Sequence, residues 1–551
     1  MCFAVQCSIT SHEDAMMHSD KPRSRPFRFK STALAGAVAL GLLAAAPASA
    51  GGVLTVAMTA SDIPVTTGTP DQGFEGFRFV GWSLYDALVG WDLSKSDAPS
   101  DIIPGLATSW SIDPANKKRW IFKLREGVKF HDGCAFSADD VVWNYLRMTD
   151  NKSPQFFAQQ FALNRGYMTN VANIEKVDNF TVAVTTNFVE SLFPYTMSYV
   201  PMISRCRAEA LKYDWTAYAA APSGTGPYRF DRMIPRERLE LLPNKEYWNP
   251  KRVPKQERMI LIPMPEAATR VAALLSGQVN FVEAPPPDSM PRLKAGGMKI
   301  VTNVYPHNWP FTLNFEKGPF TDLRVRQAAN HALNRADFVE LLGGMATEEY
   351  AMVPPNMPYY GNPKKYEFNT KKAIALLKEA KCYPCEVTLA ISTSGSGQMQ
   401  PLPMNDLLKT QMEEAGFKVN FQVMDWNAML QIFRGGVDKF PDVHGVNGSR
   451  ALTDPVIAIM KPVGKAYWSP AGANWGHFYS EETEKLVGEI FNEFDEAKRL
   501  TLLTKLHEVE SDMALMIYVV HDINPRALSP KIKGFVQAQH WFQDMTPISV
   551  E

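Results

Sequence analysis

Cys382 and Cys385 are separated by two residues, and of all the spacings in this chain theirs most suggests a chemically active site. C-x-x-C pairs occur in redox motifs and in zinc sites. A structural zinc site needs four ligands, and the sequence offers no second pair or nearby histidine. A redox pair opens a helix, whereas this pair follows a helical pattern and precedes a strand pattern. We therefore interpret it as a structural disulfide or as plain thiols, and pairing among Cys134, Cys206, Cys382 and Cys385 stays open.

Other candidate catalytic groups have simpler structural interpretations. His131-Asp132 could form a dyad, but Asp132-Gly133 is a turn signal. Asp139 and Asp140 are neighbours on a predicted helix, so their side chains point to different faces. Their position in its first turn is explained by the helix dipole, which favours negative charge there. The sequence has no G-x-S-x-G, H-E-x-x-H, Walker or Rossmann motif. Catalytic groups can assemble from distant positions, so this pattern favours a binding protein without excluding an enzyme.

Aromatic residues point to a small-ligand cleft. The chain has 12 Trp and 18 Tyr, and five of the Trp lie near turn residues. They are Trp82, Trp309, Trp426, Trp468 and Trp475. Aromatic walls with a few polar groups are typical of such clefts. The alternative for each of these residues is an ordinary place in the core.

The elements that must position these residues alternate between helix and strand periodicity, which predicts mixed α/β structure. Strand patterns cover 120–125, 181–186, 259–262, 386–391, 418–423 and 515–520. Helix N-caps are predicted at Ser137, Thr321, Asn369 and Ser480.

Length and net charge limit the classes of protein to which this chain can belong. A chain of 551 residues forms several domains or one large lobed body. Its 57 basic and 58 acidic residues give a net charge of −1. A nucleic-acid binder would show a basic excess, so we expect no nucleic-acid partner.

Residues 1–50 have the pattern of a cleavable signal peptide. Five basic residues precede the apolar run 33–46, and Ala48-Ser49-Ala50 follows it. We expect cleavage after Ala50, with Met16 or Met17 as possible true starts, and a free periplasmic protein. The run is short for a membrane span, although a retained anchor is the alternative.

Several blocks carry a family resemblance. They are PGLATSW at Pro104–Trp110, the block Trp120–Gly133, FSADDVV at Phe136–Val142, GTGPY at Gly224–Tyr228, the block Glu266–Gly277, the block Pro319–Ala328 and the block Ala527–Phe535. Together they resemble the family 5 extracytoplasmic solute-binding proteins, the peptide- and nickel-type receptors of ABC importers. The similarity runs over nearly the whole chain after the leader.

The resemblance implies an α/β, periplasmic-binding-protein-like bilobal fold, type II with an extra domain. Mixed sheets would be flanked by helices, with a ligand cleft between the lobes. By analogy, domain I combines 51–88, 222–306 and 521–551, domain II is 89–221, and domain III is 307–520. Ligand binding would shift an open form towards a closed one.

The resemblance also suggests where a ligand binds. In peptide-binding members, an acidic residue of the third domain holds the ligand's α-amino group. This chain has Ser449-Arg450 there, and Asp454 follows in a D-P step. An Arg450 that faces the cleft favours a carboxylate or phosphate, and an Arg450 in solvent is the alternative. The predicted ligand-binding residues are Trp82, Trp309, Trp426, Asn447, Arg450, Asp454, Trp468 and Trp475.

These observations favour a periplasmic receptor for a short peptide or a peptide-sized polar solute, such as an opine-like conjugate. It would be a monomer without cofactor or catalytic residues, and its partner would be an ABC-transporter permease. Three alternatives stay open: a metal-chelate receptor using His444 or His477, a secreted hydrolase, and a sensor that signals without transport.

Overall fold

The computed structural model describes residues 51–68, 71, 76–168, 170–393, 400–448, 453–470 and 472–551, with the backbone alone for 162–166. The predicted signal peptide and Arg450 lie outside the described residues. Across the described ranges, no helix is both long enough and apolar enough to cross a membrane.

The strands of the described chain are numbered in chain order. They are β1 Val53–Met58, β2 Val89–Trp91, β3 Ile102–Pro104, β4 Ala107–Asp113, β5 Asn116–Leu124, β6 Val171–Asp178, β7 Thr181–Thr186, β8 Tyr228–Ile234, β9 Arg238–Pro243, β10 Arg258–Pro263, β11 Phe281–Glu283, β12 Lys299–Val301, β13 Phe311–Leu313, β14 Ala346–Glu348, β15 Cys385–Ser392, β16 Phe417–Met424, β17 Gly445–Asn447, β18 Met516–Ile517, β19 Val520–Asp522, β20 Arg526–Leu528, β21 Ile532–Lys533 and β22 Ser549–Val550.

The α-helices are numbered in the same way. They are α1 Trp82–Leu84, α2 Ala138–Thr149, α3 Ala158–Met168, α4 Phe193–Thr196, α5 Arg205–Ala210, α6 Trp215–Ala220, α7 Ala267–Leu275, α8 Met290–Ala295, α9 Leu323–His331, α10 Arg335–Leu341, α11 Thr370–Glu379, α12 Pro401–Glu414, α13 Trp426–Gly435, α14 Glu481–Asn492 and α15 Glu496–Asp512. Two π-helical segments, Gly76–Gly81 and Val456–Met460, accompany them, and a 3₁₀ turn covers Met197–Tyr199.

A mixed seven-stranded sheet draws on distant parts of the chain, in the order β12-β20-β11-β1-β10-β9-β8. The strand β1 lies between two parallel partners, β10 and β11. Its sequence, VLTVAM, is nearly all apolar because both faces are buried, as expected of a central parallel strand. Leu54, Val56 and Met58 pack into one core, and Ala57 packs into another.

Two further sheets have cores of their own. A four-stranded antiparallel sheet has the order β4-β5-β7-β6, and α2 covers it through Val141 and Tyr145. A five-stranded mixed sheet has the order β16-β15-β17-β13-β18. The helices α9, α11 and α12 bury apolar residues in its core. The result is the expected α/β architecture of mixed sheets flanked by helices.

Both cysteine pairs form disulfides. Cys134 joins Cys206 across 72 residues, with their Cα atoms 6.6 Å apart, and Cys382 joins Cys385. The second pair follows α11, and Cys385 is the first residue of β15. The disulfide interpretation of C-x-x-C is therefore confirmed, and so is the position of the pair after a helix.

Local patterns predicted most elements well. Ser137 is the N-cap of α2 and forms a capping box, in which the Asp140 carboxylate accepts the Ser137 N–H at 2.9 Å. Asn369 caps α11 by accepting the N–H of Lys372. The cap predicted at Thr321 is wrong by one residue, because the Asp322 carboxylate accepts the N–H of Arg324 instead. The strand predicted at 515–520 is divided between β18 and β19, which lie in different sheets.

Candidate functional site

Four buried polar residues from two distant parts of the chain form a cluster, which we name the polar junction. Glu190 precedes α4, and Tyr199 ends the 3₁₀ turn after it. Asp454 precedes the π-helical segment Val456–Met460, and Lys461 follows that segment. All four residues are at most 6% exposed. Buried charges are rare in proteins unless they are paired, so this cluster needs an explanation.

Asp454 is held in a fixed orientation. Its Oδ1 accepts the N–H of Val456 at 2.8 Å, and the intervening Pro455 has no N–H to compete. Burial raises the pKa of Asp454 to about 6. The charge of Lys461, two backbone N–H groups and the hydroxyl of Tyr199 oppose that rise. The carboxyl group therefore changes protonation close to neutral pH.

The charge of Lys461 is influenced by two carboxyl groups, those of Asp454 and Glu190. Burial lowers its pKa, whereas the charges of Asp454 and Glu190 raise it. Burial raises the pKa of Glu190 to about 7, although the Asn170 amide donates to its Oε2 at 2.5 Å and Lys461 also favours its charged form. The Lys461 Nζ lies 5.1 Å from the centre of the Tyr167 ring, within range of a cation–π contact. The junction can thus accept a proton or another cation.

An aromatic layer borders the polar junction. Its buried members are Phe77, Trp91, Leu93, Tyr199, Tyr305, Ala538, Trp541 and Phe542, and Trp82, Ile102, Tyr167, Tyr195 and Ile457 pack against them. The Tyr167 ring stacks on the Tyr199 ring with centroids 5.0 Å apart. The Trp82 ring lies 5.3 Å from that of Phe542. Polar groups beside aromatic rings are the usual lining of a small-molecule site.

Both π-helical segments supply residues to this region. Gly76–Gly81 contributes Phe77, and Val456–Met460 contributes Ile457. Single π-helical turns are rare and occur frequently at functional sites. One of them lies between Asp454 and Lys461 of the polar junction and the other lies in the adjoining aromatic layer, which supports a functional interpretation of this region.

The predicted site residues fall in several places. Asp454 belongs to the polar junction, and the half-buried Trp82 belongs to the aromatic layer. Trp309 and Asn447 instead line a small cavity of about 10 Å³, enough for about one water molecule. The other residues lining it are Phe311, Pro401, Met404, Asn405, Leu408 and Val519. There the Trp309 indole donates to Asp522 at 3.4 Å, and the Asn447 amide donates to the Pro310 carbonyl at 3.3 Å.

The remaining tryptophans lie around α13 and after it. Trp475 is 1% exposed, packs in a core with Met429, and donates from its indole to the Ile432 carbonyl at 3.0 Å. Trp426 packs half-buried against the same core. Trp468 stacks on His477 with ring centroids 4.8 Å apart. Ligand contact by all of these predicted residues stays a prediction.

Sequence reasoning missed Glu190, Lys461 and Tyr199. The usable signal was a lone charge among apolar or uncharged neighbours, in FVESLFP around Glu190 and in VIAIMKPVG around Lys461. Such a charge is seldom buried unless it is paired, so each predicts a partner elsewhere in the chain.

The histidines of the metal alternative have other contacts. His444 Nδ1 accepts the N–H of Thr388 at 3.0 Å. His477 Nδ1 lies 3.2 Å from a Glu316 carboxylate oxygen, and its Nε2 lies 2.8 Å from the Ser469 carbonyl. In the described part of the chain, no group of three or more His, Cys, Asp or Glu is placed to hold a metal ion.

Comparisons with known proteins agree on the class. The model of the bacterial extracellular solute-binding proteins, family 5 Middle, matches residues 101–463. A heme-binding protein A of Haemophilus influenzae is 25% identical over 85% of this chain and 87% of its own. The dipeptide-binding protein of Escherichia coli is 24% identical over 90% and 97%.

A solved structure supports the fold. The periplasmic binding protein DppA of Helicobacter pylori, in complex with the peptide STSA, superposes with a TM-score of 0.78 at 24% identity. The match covers 91% of this chain and 98% of that one. The fold is thus the bilobal one of periplasmic binding proteins, and these three relatives are binding proteins. The chain belongs to the bacterial extracellular solute-binding proteins of family 5.

Proposed function

We propose that this protein captures a short peptide or a peptide-sized polar solute outside the inner membrane and delivers it to an ABC-transporter permease. The observation that carries the proposal is the polar junction beside the aromatic layer, in a chain of this family. Groups of both charge signs suit a ligand with polar ends, and the aromatic rings suit its apolar parts. The relatives carry ligands as different as heme and a dipeptide, so the ligand must be argued from this site.

The three-domain division belongs to this proposal. All strands of the seven-stranded sheet fall within 51–88, 222–306 and 521–551, the predicted domain I. The four-stranded sheet falls within 89–221 and the five-stranded sheet within 307–520. The polar junction then joins domain II, through Glu190 and Tyr199, to domain III, through Asp454 and Lys461. Closure of the lobes around a ligand would form these contacts.

Particular roles follow for the predicted residues. Asp454 binds a cationic group of the ligand, and the positive charge of that group would compensate the buried negative charge of the carboxylate. Arg450, four residues before it, pairs with an anionic group. Trp82 covers an apolar part of the ligand, and Asn447 orients a polar part. Trp309, Trp426, Trp468 and Trp475 complete the cleft wall.

The rest of the proposal concerns the molecule as a whole. The protein releases its ligand unchanged, works as a monomer without cofactor or nucleic acid, and reaches the periplasm after cleavage behind Ala50. The metal-chelate receptor remains the second candidate, because His477 carries a carboxylate neighbour, Glu316.

Calorimetric titration with the tetrapeptide Ser-Thr-Ser-Ala tests the function. Micromolar or tighter binding without turnover is expected, together with a co-purified solute in native mass spectra of protein from its host. The absence of both peptide binding and a co-purified organic solute would contradict the proposal. A bound metal chelate would favour the second candidate, and cleavage of the peptide would favour a hydrolase.

Two charge variants test the site. Asp454→Asn and Arg450→Ala should each weaken binding of Ser-Thr-Ser-Ala by about 1.5 kcal/mol or more, as for loss of a charge-assisted hydrogen bond. Asp406→Asn and Arg292→Ala change exposed residues on α12 and α8 and serve as controls. Equal affinities for Arg450→Ala and its control would remove Arg450 from the site, and the same holds for Asp454.

A further inference from the structure

Two buried N–H donors lie side by side, that of Trp91 in the aromatic layer and that of His540 beside it. The rings of Trp91 and His540 have centroids 4.4 Å apart, and the two residues are 4% and 0% exposed. Neither the Trp91 Nε1 nor the His540 Nε2 has a hydrogen-bond partner in the described structure. Buried polar atoms without a partner are uncommon and destabilising, so each such atom needs an explanation.

The backbone around His540 fixes which nitrogen carries the proton. The N–H of Phe542 donates to His540 Nδ1 at 3.0 Å, so a neutral imidazole must bear its hydrogen on Nε2. Burial lowers the pKa of His540 to about 3, which keeps the ring neutral near pH 7. Both unpartnered atoms are therefore donors, and neither can satisfy the other.

Both donors are held in place before any ligand arrives. Trp91 ends β2 and pairs with Ile102 of β3. His540 lies in an irregular buried segment, where the Gln543 side-chain amide donates to the His540 carbonyl at 2.9 Å. The Trp91 ring lies 5.7 Å from the Tyr195 ring and 6.4 Å from the Tyr199 ring, and Tyr199 adjoins Asp454. The ring of Tyr199 thus separates the donor pair from Asp454.

We propose that Trp91 Nε1–H and His540 Nε2–H form a subsite for a ligand oxygen that accepts hydrogen bonds and carries no hydrogen, as in a carboxylate or an amide carbonyl. The subsite rests on the proposed function, because it assigns one end of the captured solute. A ligand whose cationic group meets Asp454 would place its acceptor oxygen here. The subsite thereby selects solutes with a donor end and an acceptor end.

Indole N–H resonances provide a direct test. In ¹⁵N-labelled protein, the Trp91 indole signal, assigned by its loss in Trp91→Phe, should shift on addition of sodium acetate or acetamide and stay fixed with sodium chloride. A larger shift with acetate identifies a carboxylate subsite, and a larger shift with acetamide identifies a carbonyl subsite. A signal that does not move with either probe would overturn the subsite.

Affinity for Ser-Thr-Ser-Ala provides the second measurement. Trp91→Phe keeps an aromatic ring but removes the donor, and should weaken binding about tenfold. Trp120→Phe is the matched control, since Trp120 is 5% exposed and its indole N–H likewise lacks a partner in the described structure, but it packs in the core of the four-stranded sheet. His540→Leu should weaken binding, and His540→Gln, which restores a donor, should recover part of it.

The two proposals fail in different ways. Peptide binding with equal affinities for Trp91→Phe and Trp120→Phe would overturn the subsite and leave the proposed function intact. An indole signal that responds to acetate in a protein that binds no peptide would overturn the peptide ligand and support the subsite.

Discussion

The pKa values of two buried carboxyl groups, those of Glu240 and Asp454, are shifted in opposite directions. Glu240 on β9 accepts hydrogen bonds from Arg232 and Arg238, each at 2.8 Å, and pairs with Arg258. Although burial raises its pKa, these arginines lower the pKa to about 2. Asp454 has Lys461 as its neighbouring cation, and burial prevails, so its pKa rises to about 6.

The difference separates a structural carboxylate from one suited to binding. Three arginines already compensate Glu240, so a further cation would gain little there. Asp454 is undercompensated, and a cationic group placed beside it would gain a strong interaction in a medium that screens charge poorly. A buried carboxylate that the fold leaves partly unpaired is therefore a better guide to a site than burial or charge alone.

Removing the cation of the polar junction should have the largest effect on the free energy of unfolding. Lys461→Met leaves Asp454 and Glu190 without it, and at pH 8 we expect a loss of about 3 kcal/mol in the free energy of unfolding. The loss should shrink at pH 5, where both carboxyl groups are protonated. Urea unfolding at the two pH values measures it.

Lys485→Met is the control for that measurement. The Lys485 side chain is 77% exposed and pairs with Glu489 one turn along α14, so its unfolding midpoint should match that of the wild type. Identical midpoints for Lys461→Met and Lys485→Met would show that Lys461 does not stabilise the charged carboxylates of Asp454 and Glu190.

The pH dependence of stability tests whether the pKa of Asp454 is raised. The pKa of Asp454 is above its ordinary 3.8 in the folded state, so folding takes up a proton between about pH 4 and pH 6. The free energy of unfolding should therefore fall as pH rises through that window, on the order of 2 kcal/mol from this group. Asp454→Asn should flatten the profile there. An unchanged slope would contradict the raised pKa.

Glu240 should give the smallest effect, with the opposite sign. Its folded pKa is below the ordinary 4.5, so its stabilisation is present above that value and is lost as pH falls towards about 2. Glu240→Gln should cost about 1 kcal/mol at pH 7, because its arginine partners are partly exposed and screened by solvent. The wild type and the variant should converge near pH 2; a constant gap would reject the ion-pair explanation.

Local patterns predicted the fold well, because capping and alternation act within a few residues. The capping box at Ser137 and the cap at Asn369 are confirmed. The cap near Thr321 was misplaced because Asp322, one residue on, is an equally good acceptor.

The site was harder to predict, because its geometry depends on pairings between distant segments. The family resemblance at the Asp454-Pro455 step identified one member of the polar junction. Its partner Glu190 is 264 positions away, and periodicity carries no information about such a contact. A position near a turn does not by itself distinguish a core tryptophan from one in a cleft wall: Trp475 packs in a core with Met429, and its contact with a ligand stays a prediction.

The seven-stranded sheet has a consequence for biogenesis. Its central strand is made from residues 53–58, while the strand that joins β11 to β12 comes from residues 526–528. Almost the whole polypeptide must therefore leave the ribosome before this layer can be completed. Residues 53–58 in particular have no strand to pair with until residues 258–263 and 281–283 have been made, so the start of the chain stays unpaired during about half of its synthesis.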